Sequence, residues 1–336
     1  MITFSQLASL IKDNQKFVLT SHVNPDADAI GSELAFYYLL NKMNKEIKII
    51  NYSATPENLL FMDKNNIIEQ YIADIHNEEI NNCDVIVLLD LNSISRTKSM
   101  ETVIRAAKKE MICVDHHEYP ENFTQNILID TNSCATGEII YNFIENTNII
   151  KLDYDIAYVL YAAIMTDTGS FRYERTTSKT HKIIAEFLDI GVIPKEIHEQ
   201  IYDNSGYGKL KLLGEVLTTL HLNGAQNVSY MIITQKMIEQ NEVDESEVDG
   251  FVNYCLSIKG VFIGLLFFEL KDGFKVSLRS RGNVPVNLMA KKYGGGGHYF
   301  ASGIRFTNEE MEKYIPLIIK EAEEYISKYQ LGEKNV

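Results

Sequence analysis

The sequence predicts an α/β protein: a mostly parallel-sheet domain followed by a smaller α/β domain. Three observations carry that expectation. Short apolar runs alternate with helix-period stretches through the first half, the rhythm of βαβ units. Residues 135–220 read as largely helical, and strand-like runs return from about residue 228. A length of 336 residues also fits about two domains at roughly 150 residues each.

In chain order, residues 17–21, 47–51, 85–90 and 111–115 are short apolar runs that predict buried strands. Helical patterns cover residues 30–43 and 98–109 between them. In the second part, strands are expected at 228–234, 261–270 and 274–279, with helices at 286–293 and 308–329. The polar stretch from Gly191, which contains Pro194 and Gly206, reads as a linker. The expected partition is therefore 1–190, a linker at 191–220, and 221–330. The acidic run 242–249 reads as a solvated loop and helix start.

The bulk numbers exclude several classes. Hydrophobic and charged fractions of 45% and 23% are ordinary for a globular chain. The four cysteines (Cys83, Cys113, Cys134, Cys255) form no C-x-x-C pair. They read as free thiols in a reducing cytoplasm rather than a zinc site or disulfide framework. The first residues lack a basic start and a sustained apolar run, so no signal peptide and no membrane partner are expected. The longest apolar stretches, 85–89 and 261–268, are too short to span a bilayer. A net charge of −14 disfavours a binder of long duplex nucleic acid, which needs broad basic surfaces. It leaves room for a small phosphorylated substrate held by a few local cations or by metal ions.

The chemistry concentrates where apolar strands end. His22-Val-Asn-Pro-Asp26-Ala-Asp28-Ala-Ile-Gly31-Ser32 joins the first strand to a helix. One such Asp is ordinarily a helix cap; a His and two Asp together suit manganese or a related divalent ion. Gly31 and Ser32 are expected near the helix N-terminus, where backbone N–H groups favour anions. Asp90 ends the run Val85-Ile-Val-Leu-Leu, and Asp115-His116-His117 ends Met111-Ile-Cys-Val. Asp167 lies in Thr166-Asp167-Thr168-Gly169-Ser170, a weak motif by itself. Together His22, Asp26, Asp28, Asp90, His116 and Asp167 make a donor inventory for two adjacent divalent ions, with one carboxylate bridging. Four carboxylates in one crevice require such neutralisation, and the set suits phosphoester hydrolysis.

These four motifs, in this order, resemble the DHH phosphoesterase superfamily, whose name motif stands here as Asp115-His116-His117. The resemblance extends over nearly the whole chain. Ser277-Leu-Arg279-Ser280-Arg281 and Tyr293-Gly294-Gly295-Gly296-Gly297-His298 look like the substrate domain associated with that family. It implies that His22, Asp26 and Asp90 hold one ion and that Asp28, Asp90, His116 and Asp167 hold the other, with manganese the usual metal. It implies that His117 contacts the scissile phosphate or donates a proton, and that Asp115 orients a neighbouring histidine.

The C-terminal motif has its own physical sense. Consecutive glycines let backbone N–H groups approach a phosphate, and Arg279 offers a bidentate fork. Arg279, Ser280, Gly294, Gly295, Gly296, Gly297 and His298 are thus the expected substrate-binding residues. Between Lys271 and Arg305 seven Lys or Arg stand against one acid, Asp272, a local reversal that favours an anion. Tyr299 and Phe300 follow the glycine run as either a base-stacking pair or packed residues.

The implied reaction is metal-dependent hydrolysis of very short oligoribonucleotides to mononucleotides, with 3′-phosphoadenosine 5′-phosphate to AMP as a second activity. Substrate is expected in a cleft between the domains, and a homodimer is compatible with this reading. Within the same class, a phosphodiesterase for linear or cyclic dinucleotides and an exopolyphosphatase remain alternatives. A catalytically silent nucleotide-binding regulator is the alternative of another class. The six intact donor positions argue against it, and manganese-dependent turnover of a generic phosphodiester discriminates.

Overall fold

The computed structural model describes residues 1–248 and 250–330, apart from the side chains of Ser246, His298 and Gln330. The chain divides into two compact units, Met1–Asn204 and Ser205–Val336.

The first unit is built on six strands: β1 (Lys16–Thr20), β2 (Glu46–Asn51), β3 (Ile68–Gln70), β4 (Val85–Leu89), β5 (Glu110–Asp115) and β6 (Asn126–Ile129). Their order is β3-β2-β1-β4-β5-β6, and every neighbouring pair is parallel. Five residues of β4 are all buried, which is why this strand reads as continuous Val/Ile/Leu rather than as an alternation.

Helices cover both faces. α1 (Phe4–Asp13), α2 (Ala27–Lys42), α5 (Thr136–Thr147), α6 (Tyr154–Asp167), α7 (Ser178–Ile190) and α8 (Pro194–Tyr202) share one apolar cluster with the sheet. α3 (Ala73–Asn82) and α4 (Met100–Ala107) pack through Ile80, Met100 and Ile104 on a second cluster. The strand order reverses between β1 and β4, and ligands of such sheets bind beyond the strand ends at that point.

The second unit carries β7 (His221–Leu222), β8 (Val228–Ile233), β9 (Ile263–Leu270), β10 (Gly273–Ser280), β11 (Gly296–His298) and β12 (Ala301–Thr307) in the order β11-β12-β10-β9-β8-β7. Only β8 and β9 pair parallel; the other pairs are antiparallel. α9 (Tyr207–Thr218), α10 (Gln235–Asn241) and α11 (Val252–Leu256) pack on one face. α12 (Val286–Lys292) and α13 (Met311–Gln330) pack on the other.

Residues 191–220, expected as a linker, instead hold α8 and α9. Pro194 begins α8, a position that suits a residue without an N–H. Ile197 is buried with the first unit, and Leu212 and Val216 with the second, so the division falls at the short break between these helices. In the acidic run, Glu245–Val248 form a 3₁₀ turn, and Asp249 lies outside the described residues. No helix among the described residues is long and apolar enough to cross a membrane.

Candidate metal centre

Each N-terminal motif leaves a secondary-structure element where the chain is free to turn. β1 ends at Thr20, and Ser21-His22 follows it. Asp26 caps α2, with Oδ1 accepting from the N–H groups of Asp28 at 3.0 Å and Ala29 at 3.1 Å. One carboxylate oxygen does that work, which leaves the second for a ligand role.

Asp90 follows β4 with φ of 57°, a left-handed conformation that Asp and Asn adopt more readily than other side chains. Its N–H donates to the Val114 carbonyl at 3.0 Å, so the turn is pinned to β5. His116 and His117 follow β5 with their rings edge-on at 4.8 Å. Asp167 ends α6.

These residues converge. His22 Nε2 lies 3.5 Å from Asp90 Oδ2, whereas His116 Nε2 lies 3.7 Å from Asp90 Oδ1. The two oxygens of Asp90 thus face different histidines. His116 Nε2 is also 3.8 Å from Asp28 Oδ2 and 3.4 Å from Asp167 Oδ2. Donor atoms held about 2.1–2.3 Å from one ion lie about 3–4 Å apart, so these separations fit cations between them. Two sets of ligand atoms within 4.8 Å of one another result: His22, Asp26, Asp90 and Asp28, His116, Asp167.

A third set joins His117 to Asp90 and His116. However, His117 Nδ1 is 2.6 Å from Asp115 Oδ1, a hydrogen bond that already engages this ring nitrogen.

Side chains outside the sequence-derived set complete the centre. The N-terminus of α5 reaches it: Thr136 N donates to Asp28 Oδ2 at 2.7 Å and Gly137 N to Asp28 Oδ1 at 2.9 Å. Thr136 Oγ1 donates to Asp90 Oδ1 at 2.9 Å. Buried Glu33 accepts from Asn51 Nδ2 at 2.8 Å, and Asn51 Oδ1 accepts from Ser21 N at 3.0 Å, fixing the residue before His22. Thr136 and Glu33 carry no spacing signal, because the residues they bond, Asp28, Asp90 and Asn51, are distant in sequence.

Gly31 and Ser32 depart from expectation. They lie inside α2, not at its anion-binding start. A Cβ at Gly31 would meet the Val159 carbonyl oxygen at 2.6 Å, so glycine serves the close approach of α2 and α6. Ser32 Oγ donates to Asp28 Oδ1 at 3.3 Å.

The electrostatics of the bare donor set argue for cations. Burial, then the charges of Asp90, Asp167 and Asp26, push the Asp28 carboxyl well above its usual range. Burial pushes Asp167 up to about 7, opposed by His116 and reinforced by Asp26 and Asp90. Burial alone would raise Asp90, but the His22 bond and the nearby charges of His117, His22 and His116 hold it low. Asp90 is thus the permanent anion, while Asp28 and Asp167 retain protons that a cation would displace.

A pH dependence follows. The metal-free native state binds more protons than the unfolded chain between about pH 4 and about pH 7, so its stability falls as pH rises through that window. A bound divalent cation would offset the repulsion, and the gain in Tm on adding manganese is expected to be larger at about pH 8 than at about pH 5.5. Thermal melts at both values check this; equal gains would contradict it.

In the second unit, Arg279 lies on β10 opposite Ala301, with a guanidinium nitrogen 3.1 Å from the Leu278 carbonyl. Ser280 is buried, and its hydroxyl donates to the Val284 carbonyl at 2.6 Å, a bond that closes its own turn.

The four glycines are not a uniform flexible loop. Gly294 terminates α12 with φ of 74°, and a Cβ at Gly295 or Gly297 would strike the β12 backbone at 2.2 and 2.5 Å. A Cβ at Gly296 would meet no atom of the described residues within 4 Å. The His298 side chain lies outside the described residues. Two of the expected local cations are paired: Arg305 with Asp272 at 2.9 Å, and Lys292 with Glu321. Tyr299 and Phe300 meet edge-on at 4.7 Å, and Tyr299 Oη donates to the Asn283 carbonyl at 2.9 Å.

A doubly wound parallel sheet with two carboxylate–histidine donor sets at its switch point defines a metal-dependent hydrolase of phosphoester bonds. The chain belongs to the DHH family: residues 16–164 match the DHH family N-terminal domain and residues 227–328 the DHHA1 domain. It is 28% identical to the bifunctional oligoribonuclease and PAP phosphatase NrnA of Thermus thermophilus, over 92% of this chain and 90% of that protein. The crystal structure of an exopolyphosphatase-related protein from Bacteroides fragilis superposes with a TM-score of 0.91 at 30% identity, covering 97% of this chain and 96% of the other. RecJ from Thermus thermophilus in complex with Mn2+ shares the fold, with a TM-score of 0.56, 11% identity and coverage of 97% and 55%.

Proposed function

We propose that this chain hydrolyses oligoribonucleotides of two to about five residues to mononucleotides, and 3′-phosphoadenosine 5′-phosphate to AMP, with two manganese ions in the first unit. The observation that carries the two-ion reading is Asp90, whose two oxygens face His22 and His116 separately. His22, Asp26 and Asp90 would hold one ion, and Asp28, Asp90, His116 and Asp167 the other. When bound, a pair of divalent ions supplies a nucleophilic water at neutral pH and stabilises charge developing on phosphorus.

The chain's own groups do the rest. Thr136 and Gly137 hold Asp28 and Asp90 in place. Asp115 fixes the His117 ring so that proton exchange with the leaving oxygen goes through Nε2. The NrnA relative supports the RNA and nucleotide substrates, and the manganese-bound RecJ structure supports the metal.

Substrate recognition falls to the second unit, through Arg279, Ser280, Gly294, Gly295, Gly296, Gly297 and His298. Of these, Gly294 and Gly296 are the positions where an added Cβ would meet no atom of the described residues within 4 Å, and only Gly296 of the two lacks a left-handed φ. Gly296→Ala is expected to leave Tm unchanged yet lower kcat/KM on a dinucleotide, because an added methyl meets no atom of the described residues and would stand in the way of a ligand; unchanged kinetics would remove Gly296 from the site.

The substrate test compares kcat/KM on a dinucleotide, a roughly 24-nucleotide RNA and a small generic phosphodiester. The dinucleotide is expected to win, and Arg279→Ala to impair it more than the generic ester, since binding energy from a remote grip orients the scissile group. Equal efficiency on short and long RNA, or preferred turnover of polyphosphate, would overturn this reading.

A further inference from the structure

We infer that Arg96, which none of the metal or glycine motifs includes, is the first unit's own phosphate-binding residue and grips the non-bridging oxygens of the phosphoryl group being hydrolysed. The inference deepens the hydrolase reading above and rests on it.

Arg96 lies in the 3₁₀ turn Ile94–Thr97, within the loop that follows Asp90. Its carbonyl accepts from Val23 N at 2.8 Å, which ties it to the residue beside His22. The turn is held from outside: Glu121 Oε2 accepts from Ser93 Oγ at 2.7 Å and from Ile94 N at 3.1 Å. Glu121 Oε1 accepts from Arg105 at 2.8 Å, so the nearby carboxylate is already committed to another arginine.

The Arg96 side chain is half-buried. Among the described residues its guanidinium makes no ion pair and no hydrogen bond. By contrast, Arg105 pairs with Glu101 and Glu121, and Arg175 with Glu118. The backbone places Arg96 between two ends of the donor set: its turn follows Asp90, and its carbonyl is bonded to Val23, the residue after His22.

A half-buried guanidinium beside a metal centre, braced through its backbone and lacking an internal carboxylate, is arranged for an external anion. Its planar fork matches two phosphoryl oxygens. The transition-state charge of the phosphoryl group is spread over those oxygens, and a guanidinium fixed beside them stabilises it.

The test uses the full-length manganese-loaded protein and two variants, Arg96→Gln and Arg96→Lys. Turnover is followed on bis-p-nitrophenyl phosphate, with inorganic phosphate as competitive inhibitor and metal content measured in parallel. Arg96→Gln is expected to lose about 10²-fold in kcat/KM and to weaken phosphate inhibition by about tenfold or more, with bound manganese and Tm unchanged. Arg96→Lys, which keeps the charge but not the fork, is expected to fall between the two. Wild-type phosphate inhibition in Arg96→Gln would overturn the inference. So would loss of manganese or of Tm in both variants, which marks a structural role. A generic ester reports on this grip whether or not the chain acts on RNA. A failed RNA reading would instead appear as absent dinucleotide turnover with the Arg96 effect intact.

Discussion

Asp90→Asn is expected to remove nearly all turnover and to leave a folded chain. Asp90 faces His22 with one oxygen and His116 with the other, so its charge serves both donor sets at once. The loss should exceed the roughly 10–100-fold typical of residues one shell further out. Asn is the informative replacement because φ at this position is 57°. Asn tolerates that conformation, whereas Ala would add backbone strain to the loss of charge. Turnover over a range of manganese concentrations checks the assignment. Near-wild-type rates at any of them would mean that the two sets do not share this carboxylate.

The two adjacent histidines are expected to fail differently. His116 Nε2 points among Asp28, Asp90 and Asp167, and His116→Ala should lose bound metal along with activity. His117 is fixed by Asp115, and His117→Ala should keep its metal while turnover falls about 10²-fold or more, as for a lost general acid. Metal analysis of the two variants decides. Loss from His117→Ala with retention in His116→Ala would reverse the roles and favour the donor set in which His117 joins Asp90 and His116.

Much of the first unit was legible because its signals are local. β1, β4 and β5 are apolar runs that end in polar residues; five of the six expected donors follow those ends, and the sixth, Asp167, ends α6. β3 and β6 were not legible. β3 has three residues, none fully buried, and β6 buries one of its four, so neither carries an apolar run; the sheet supplies their order.

The helices α8 and α9 were read as linker because Pro194, Gly206 and polar residues outweighed a narrow apolar stripe. That stripe buries only Ile197 in one helix and Leu212 and Val216 in the other. At the site, the six expected donors, which the structure brings together, were visible by type and position. Thr136, Gly137, Glu33 and Asn51 were not, since each acts through a bond to a residue distant in sequence. The glycine run was read for the close approach of a phosphate to its N–H groups; close packing against β12 accounts for Gly295 and Gly297.

The most direct test of the account is a manganese titration of metal-stripped protein, with bound metal and release of mononucleotide from a ribodinucleotide measured on the same samples. The account predicts no turnover without metal, activity that rises as a second ion per chain is bound, and saturation at two. Turnover in the presence of a chelator, or full activity at one ion per chain, would contradict it.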